Sequence, residues 1–446
     1  MRDLILLIVF AGFLPLCFWR PHIGLLVWAC IGYLNPHRLT WGFAYSFPFV
    51  MLAAAATLAG ILCLRDRRIS FPFTGTTFVW ACFVLWTVVT TQFALNPETA
   101  AYELDRMIKT QIMILVSLLL MHDKQRIILL AGVIAFSIGF YGIKGGWFTL
   151  ITGGNFLVWG PPGTFFEGNN EVAFALLICL PLMRFFQMYW TNKWLKRFAL
   201  LAMILSGFAI VGSYSRGALV GGLGMMGMLW LKSRHKVKLA IPAVLALLVL
   251  IAFMPQSWKD RMGTIQTYDE DASAMGRINA WYFAVNLAND RPIVGGGFGT
   301  FTIPLFLKYA PVPEDHHDAH SIFFEVLGEQ GYIGLLFFMG MGGLAFLTGS
   351  SVIRAARGIP ELQWASDLAA MAQVGLTGYA VGGLFLGLAY FDLPYHLMAI
   401  LVLLKSFVAK ERVRLAQQAS DDDEAPWEAE SLSSAATRLA WQGRRA

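Results

Sequence analysis

The sequence predicts an all-α polytopic membrane protein with about 12–13 transmembrane helices and one large loop outside the bilayer. Three observations predict it. The 446 residues are 57% hydrophobic and 14% charged, with mean hydropathy +0.59, where a soluble chain would carry roughly a quarter charged residues. Apolar runs recur from end to end and are not broken into the short alternating segments of a β-barrel. The short basic connections between the runs agree with one another on which side they occupy.

The apolar runs lie at about 4–19, 22–34, 47–64, 76–94, 107–122, 126–150, 170–189, 198–212, 217–231, 238–254, 321–346, 367–388 and 393–409. Basic turns at 65–68, 193–197, 232–238 and 354–357, with a weaker one at 123–126, fall on one side when the spans between them are counted. The positive-inside rule makes that side the cytoplasm. The first two runs are short and flank Arg20-Pro21-His22, so the count is 12 or 13 and the side of the N-terminus stays open. The chain divides into an N-terminal membrane region (1–125), central membrane helices (126–254), an outer loop (255–320), C-terminal membrane helices (321–409) and a flexible cytoplasmic tail (410–446). Within the outer loop, Ile278, Trp281, Tyr282, Val285 and Ala288 recur at helical spacing and predict an amphipathic helix over 276–289. The stretch near 95–106 is expected as a loop on the same outer side.

Composition narrows the function. The formal charge of +6 comes mostly from Lys and Arg between spans, so it reports topology and not nucleic-acid binding. All five cysteines lie in apolar runs and read as small hydrophobes. His316, His317, Asp318 and His320 are zinc-ligand types, but their spacing matches no established ligand pattern, and no metal or cofactor is expected.

The candidate chemistry gathers on the outer side. His320 ends the long polar loop where an apolar helix begins, and a near-neutral imidazole can take a proton from a hydroxyl nucleophile. Glu314, Asp315 and Asp318 are nearby alternatives. Arg216, in Ser213-Tyr214-Ser215-Arg216-Gly217, stands between two apolar runs. It is either a headgroup anchor or a guanidinium fork for phosphate, with Ser213 and Ser215 adding hydroxyls. Arg277 and Arg291 lie in the outer loop, and the alternating glycines 295, 297 and 299 after Arg291 suggest a tight turn at the membrane face. Asn169 and Asn170 open a span; they either cap it or meet sugar hydroxyls. Lys144, Arg106 and Lys109 stand near outer helix ends, as anchors or as parts of an anion site.

In order, Ser215-Arg216-Gly217, Arg277 with Trp281, Arg291 through Gly297, and Ala319-His320-Ser321 through Gly334 resemble the O-antigen ligase/polymerase superfamily of bacterial membrane glycosyltransferases. Gly163-Thr164-Phe165 with Asn169-Asn170 is similar to that family's earlier outer-loop motif. The N-terminal third, with Asn35-Pro36-His37-Arg38, resembles the O-glycosylation ligases associated with exosortase systems. One departure is Ser321, where the family often has asparagine. The resemblance implies a GT-C-like fold and an inner-membrane location with the site facing the periplasm. It implies metal-independent transfer from a polyprenyl-diphosphate-linked glycan donor to a lipid or protein acceptor. It also implies that Arg216 and Arg277 grip the diphosphate and that His320 sits at the reacting centre. Two rivals stand beside a ligase: a polymerase joining lipid-linked repeats, and a transporter for a lipid-linked glycan. A transporter would show internal repeats and mid-membrane charges; no repeat is visible, and the polar residues cluster at the outer face. A scaffold for envelope assembly is a third possibility.

Overall fold

The computed structural model describes residues 1–64, 70–232, 236–263 and 272–442. The basic turn at 65–68 and part of that at 232–238 lie outside the described residues. The helices are α1 (Arg2–Trp19), α2 (Pro21–Leu34), α3 (Phe49–Leu64), α4 (Gly75–Thr91), α5 (Pro97–Leu120), α6 (Lys124–Ile151), α7 (Asn169–Tyr189), α8 (Lys193–Gly212), α9 (Arg216–Lys232), α10 (Lys236–Phe253), α11 (Gln256–Gly263), α12 (Ala272–Asp290), α13 (Ile303–Tyr309), α14 (Ile322–Ala355), α15 (Gln363–Gly382) and α16 (Asp392–Gln442). Among the described residues there is no strand. Each apolar run lies in its own helix. Six helices (α1, α6, α7, α8, α14 and α16) are long and apolar enough to cross a membrane, and α2, α3 and α4 are shorter apolar helices.

Local chemistry sets the boundaries. Thr74 caps α4 through a reciprocal capping box with Thr77. Asp123 accepts from the Arg126 N–H at the start of α6. Asn35 ends α2 in the left-handed region at φ 45°, a conformation that asparagine tolerates better than most residues. α7 and α16 form the centre, each with 72% of its apolar window buried, whereas α1 is only 11% buried and lies at the periphery. α7 packs on α6, α8, α9 and α15, and α16 on α5, α14 and α15.

Three expectations need correction. Residues 97–106 are not loop: Pro97 pre-sets the first turn, and they form the start of α5. The chain after 410 continues α16 as far as Gln442 where a loose tail was expected. α12 forms, but the expected apolar face is not its main buried one. Ala280, Phe283 and Leu287 pack against Phe306 and Tyr309 of α13, while Tyr282 is exposed and Ile278 and Val285 are half-buried. Both faces of this helix are apolar, so spacing alone could not choose between them.

α14 is broken at Gly331, which takes φ 69°, ψ −174°. A break leaves helical N–H and C=O groups without partners, which is costly near lipid. The glycine loop after α12 supplies them. Gly296 N–H donates to Gly328 O and Gly297 N–H to Glu329 O, each at 2.8 Å, and Tyr332 N–H donates to Pro292 O at 3.0 Å. The fit is close: a Cβ on Gly331 would lie 2.5 Å from Ile293 O, and one on Gly295 2.6 Å from Gly331 N. The segment after the break, Tyr332–Ala355, is long enough by itself to cross about 30 Å of hydrocarbon.

Candidate active site

The N-terminal ends of α5, α7, α14 and α16 meet around a cavity of about 360 Å³. α5 contributes Glu103 and Arg106, α7 contributes Glu171, and the entry to α14 contributes Asp318, His320 and Glu325. The segment leading into α16 closes the wall with Tyr390 and Phe391. Four helices thus turn their positive ends toward one volume, which favours negative charge there.

His320 takes φ 41°, a left-handed conformation unusual for a non-glycine residue, and the next residue begins the approach to α14. The conformation is held from both sides. Ile322 N–H donates to Gly383 O at 2.8 Å. Trp281 of α12 donates its indole N–H to Ala319 O at 2.9 Å and stacks on Phe324, with ring centroids 4.9 Å apart. Asn279, also on α12, donates to Val312 O and Asp315 O and accepts from Val312 N–H. α12 therefore clamps the polar loop and delivers Arg277, one turn earlier, to the His320 side of the cavity. Burial pushes the His320 imidazole below its ordinary value; the Arg277 charge lowers it further, and Asp318 opposes the fall. The imidazole is neutral and able to accept a proton.

The turn holding Arg216 is fixed from the same side. Ser213 Oγ donates to Ile210 O and accepts from Ser215 N–H, and Ser215 Oγ accepts from Ala218 N–H as a cap of α9. Tyr214 takes φ 61° and donates its hydroxyl to Gly154 O. Asn169 donates to Ser213 O at 2.7 Å. Gly217 lies against Phe385 and Leu386, just before the segment that lines the cavity.

The predicted residues thus separate. His320 and Asp318 line the cavity. Arg277 acts electrostatically on both His320 and Glu171. Ser213, Ser215 and Asn169 shape the Arg216 turn through their own hydrogen bonds. Arg291 does not line the cavity: its guanidinium donates to Gly295 O at 2.6 Å and to Phe93 O, bracing the glycine loop. Lys144 is exposed on α6, and neither it nor half-buried Asn170 lines the cavity. The loop histidines disperse. His316 meets Phe301 O at 3.1 Å, and His317 pairs with Asp315 at 2.8 Å.

Sequence reasoning missed the acidic wall. Glu325 accepts from Ala389 N–H at 3.2 Å, and Glu329, 6% exposed, accepts from Gly299 N–H at 2.8 Å. Carboxylates four apart in an apolar run were the available signal, because an ionisable residue in such a run seldom lacks a task. Glu103 was hidden by the expected loop, whereas Arg106, read as an anchor or part of an anion site, does line the cavity. An acidic lining suits sugar hydroxyls; Arg216 and Arg277 are not among the residues that line it.

No curated protein matches the chain. Residues 1–191 match a family of unknown function. Residues 198–339, which hold Arg216, Arg277 and His320, match the O-antigen ligase family, and this match supports membership of that superfamily and a ligase- or polymerase-type activity on a membrane glycan.

Proposed function

We propose that the protein is a glycosyltransferase of the bacterial inner membrane, with its site on the periplasmic face. It moves a glycan from a polyprenyl-diphosphate donor to an acceptor hydroxyl. The observation that carries this reading is His320 on the wall of an acidic cavity, within electrostatic reach of Arg277. His320 takes the proton of the acceptor hydroxyl as the oxygen attacks the anomeric carbon. The bond to the diphosphate breaks, and Arg216 and Arg277 neutralise the charge that develops there, which needs no metal. A single displacement of this kind inverts the anomeric centre. The carboxylates Glu325 and Glu329 hold sugar hydroxyls.

The acceptor separates a ligase from a polymerase. The likeness of the N-terminal third to exosortase-associated ligases favours a ligase acting on a lipid or protein hydroxyl. The test is the surface glycan of cells lacking the gene, complemented with wild type, His320→Ala or Arg216→Lys. Long chains left on the lipid carrier mark a ligase; single repeats mark a polymerase. Arg216→Lys is expected to fail nearly as badly as Arg216→Ala, because lysine lacks the bidentate fork. Full rescue by His320→Ala would remove the proposed site. Donor accumulating on the cytoplasmic side would make the protein a transporter.

A further inference from the structure

A second cavity of about 220 Å³ lies behind the first. Arg106 and Phe165 belong to both, with the guanidinium carbon 3.6 Å from the ring centre, so this pair is the partition between them. The far wall comes from the N-terminal region, through Asn35, His37 and Arg38. None of these residues takes part in the transfer described above.

Asn35 donates to Gly32 O at 2.6 Å, but the other two polar side chains of this wall are not hydrogen-bonded in this way. Arg38 is half-buried and stacks over Tyr45, with its guanidinium carbon 4.7 Å from the ring centre. It also lies against Gly163, where a Cβ would stand 3.2 Å from that carbon. Among the described residues its guanidinium makes no hydrogen bond or ion pair, although it carries five donors in a rigid fork. Arg106 has a single ion pair, with Glu103 at 3.8 Å, and no side-chain hydrogen bond among the described residues. His37 is 8% exposed, lines the cavity, and has a buried Nδ1 without a hydrogen-bond partner. Burial and the Arg38 charge push its imidazole down to about 4, so it is neutral and carries one N–H. Asp392 is the opposing carboxylate in the lining, within electrostatic reach of Arg106. Glu103 pairs with Arg106, so Arg38 is the guanidinium of this cavity without an ion pair or hydrogen bond among the described residues, and an unpartnered planar fork matches a planar oxyanion.

We propose that this side cavity is an oxyanion subsite. It takes a carboxylate or phosphate carried on a sugar of the glycan whose neighbouring unit lies in the main cavity. The proposal rests on the glycan-transfer reading for the source of the anion; the cavity's chemistry stands apart from it.

The test is arginine labelling with phenylglyoxal on the full chain in detergent micelles, read at each arginine by mass spectrometry. The arms are no addition, inorganic phosphate, glucuronate, inorganic pyrophosphate and phosphatidylglycerol vesicles. Phosphate or glucuronate is expected to slow labelling of both Arg38 and Arg106 at least fivefold, glucuronate pointing to a sugar acid and phosphate to a phosphorylated sugar. In Arg38→Gln, the protection of Arg106 should vanish while labelling of Arg216 is unchanged. Unchanged labelling of Arg38 in both soluble arms overturns the subsite, and protection by the anionic vesicles alone reassigns it to a lipid headgroup. The pyrophosphate arm reads the other site in the same digest. Failure to protect Arg216 and Arg277 there counts against the diphosphate clamp and leaves the subsite standing.

Discussion

At the scale of single residues, the electrostatics around His320 give a signed prediction. A general base works in its neutral form, so the rate should fall as pH drops through the His320 pKa, which lies below the ordinary histidine value. Arg277 lowers that pKa and Asp318 raises it. Removing Arg277 as Arg277→Gln should therefore move the acid limb of the rate profile to higher pH. Asp318→Asn should move it to lower pH. The check is a transfer rate measured against pH for both variants, and shifts in the same direction would remove His320 as the titrating base. The sequence made His320 and Arg277 visible because their motif neighbours stand in a recognisable order. It did not show Glu325 and Glu329 as lining residues, because Glu329 is held by Gly299, 30 residues earlier, and Glu325 by Ala389, 64 residues later.

At the scale of elements, the break in α14 is the joint between scaffold and site. Gly331→Ala would place a side chain at positive φ against the Ile293 carbonyl. The cost should be about 1–3 kcal/mol, seen as a lower Tm in detergent, with loss of transfer because Glu329 leaves its place beside Gly299. Gly342→Ala is the control: a Cβ there meets nothing within 4 Å, and its Tm should hold. The glycines of 295–299 suggested a tight turn, and the turn was legible. Their partner was not, because a helix interrupted at one glycine keeps its apolar pattern across the interruption. α12 teaches a related lesson. With Ile278 and Tyr282 on one face and Phe283 and Leu287 on another, its side chains allow two orientations, and packing against α13 and α14 decides between them.

At the scale of the whole molecule, the recurring apolar runs were enough to predict an all-α polytopic architecture, and among the described residues each run lies in a helix of its own. The limits of α5 and α16 were not legible. The charged first turns of α5 fold against other helices instead of entering an apolar environment alone, and hydropathy is silent on that. The proposed topology predicts an asymmetry. A single cysteine at His316, in a chain with the native cysteines replaced, should react with a membrane-impermeant maleimide in intact cells. One at Lys193 should react only after the cells are opened. Labelling of both, or the reverse pattern, would turn the molecule over in the membrane and with it the side on which the acceptor must be found.

The splice between the glycine loop and α14 also has an order in time. Residues 292–297 leave the ribosome before residues 328–332. The backbone groups that receive the interrupted helix are therefore already made when that helix enters the bilayer, and it need not cross with bare amides. A circular permutant that begins at Gln363 and joins the old ends would keep this order, because α12 would still precede α14. One that begins at Gly299 would reverse it, and its α14 would have to enter lipid as a straight helix and open afterwards.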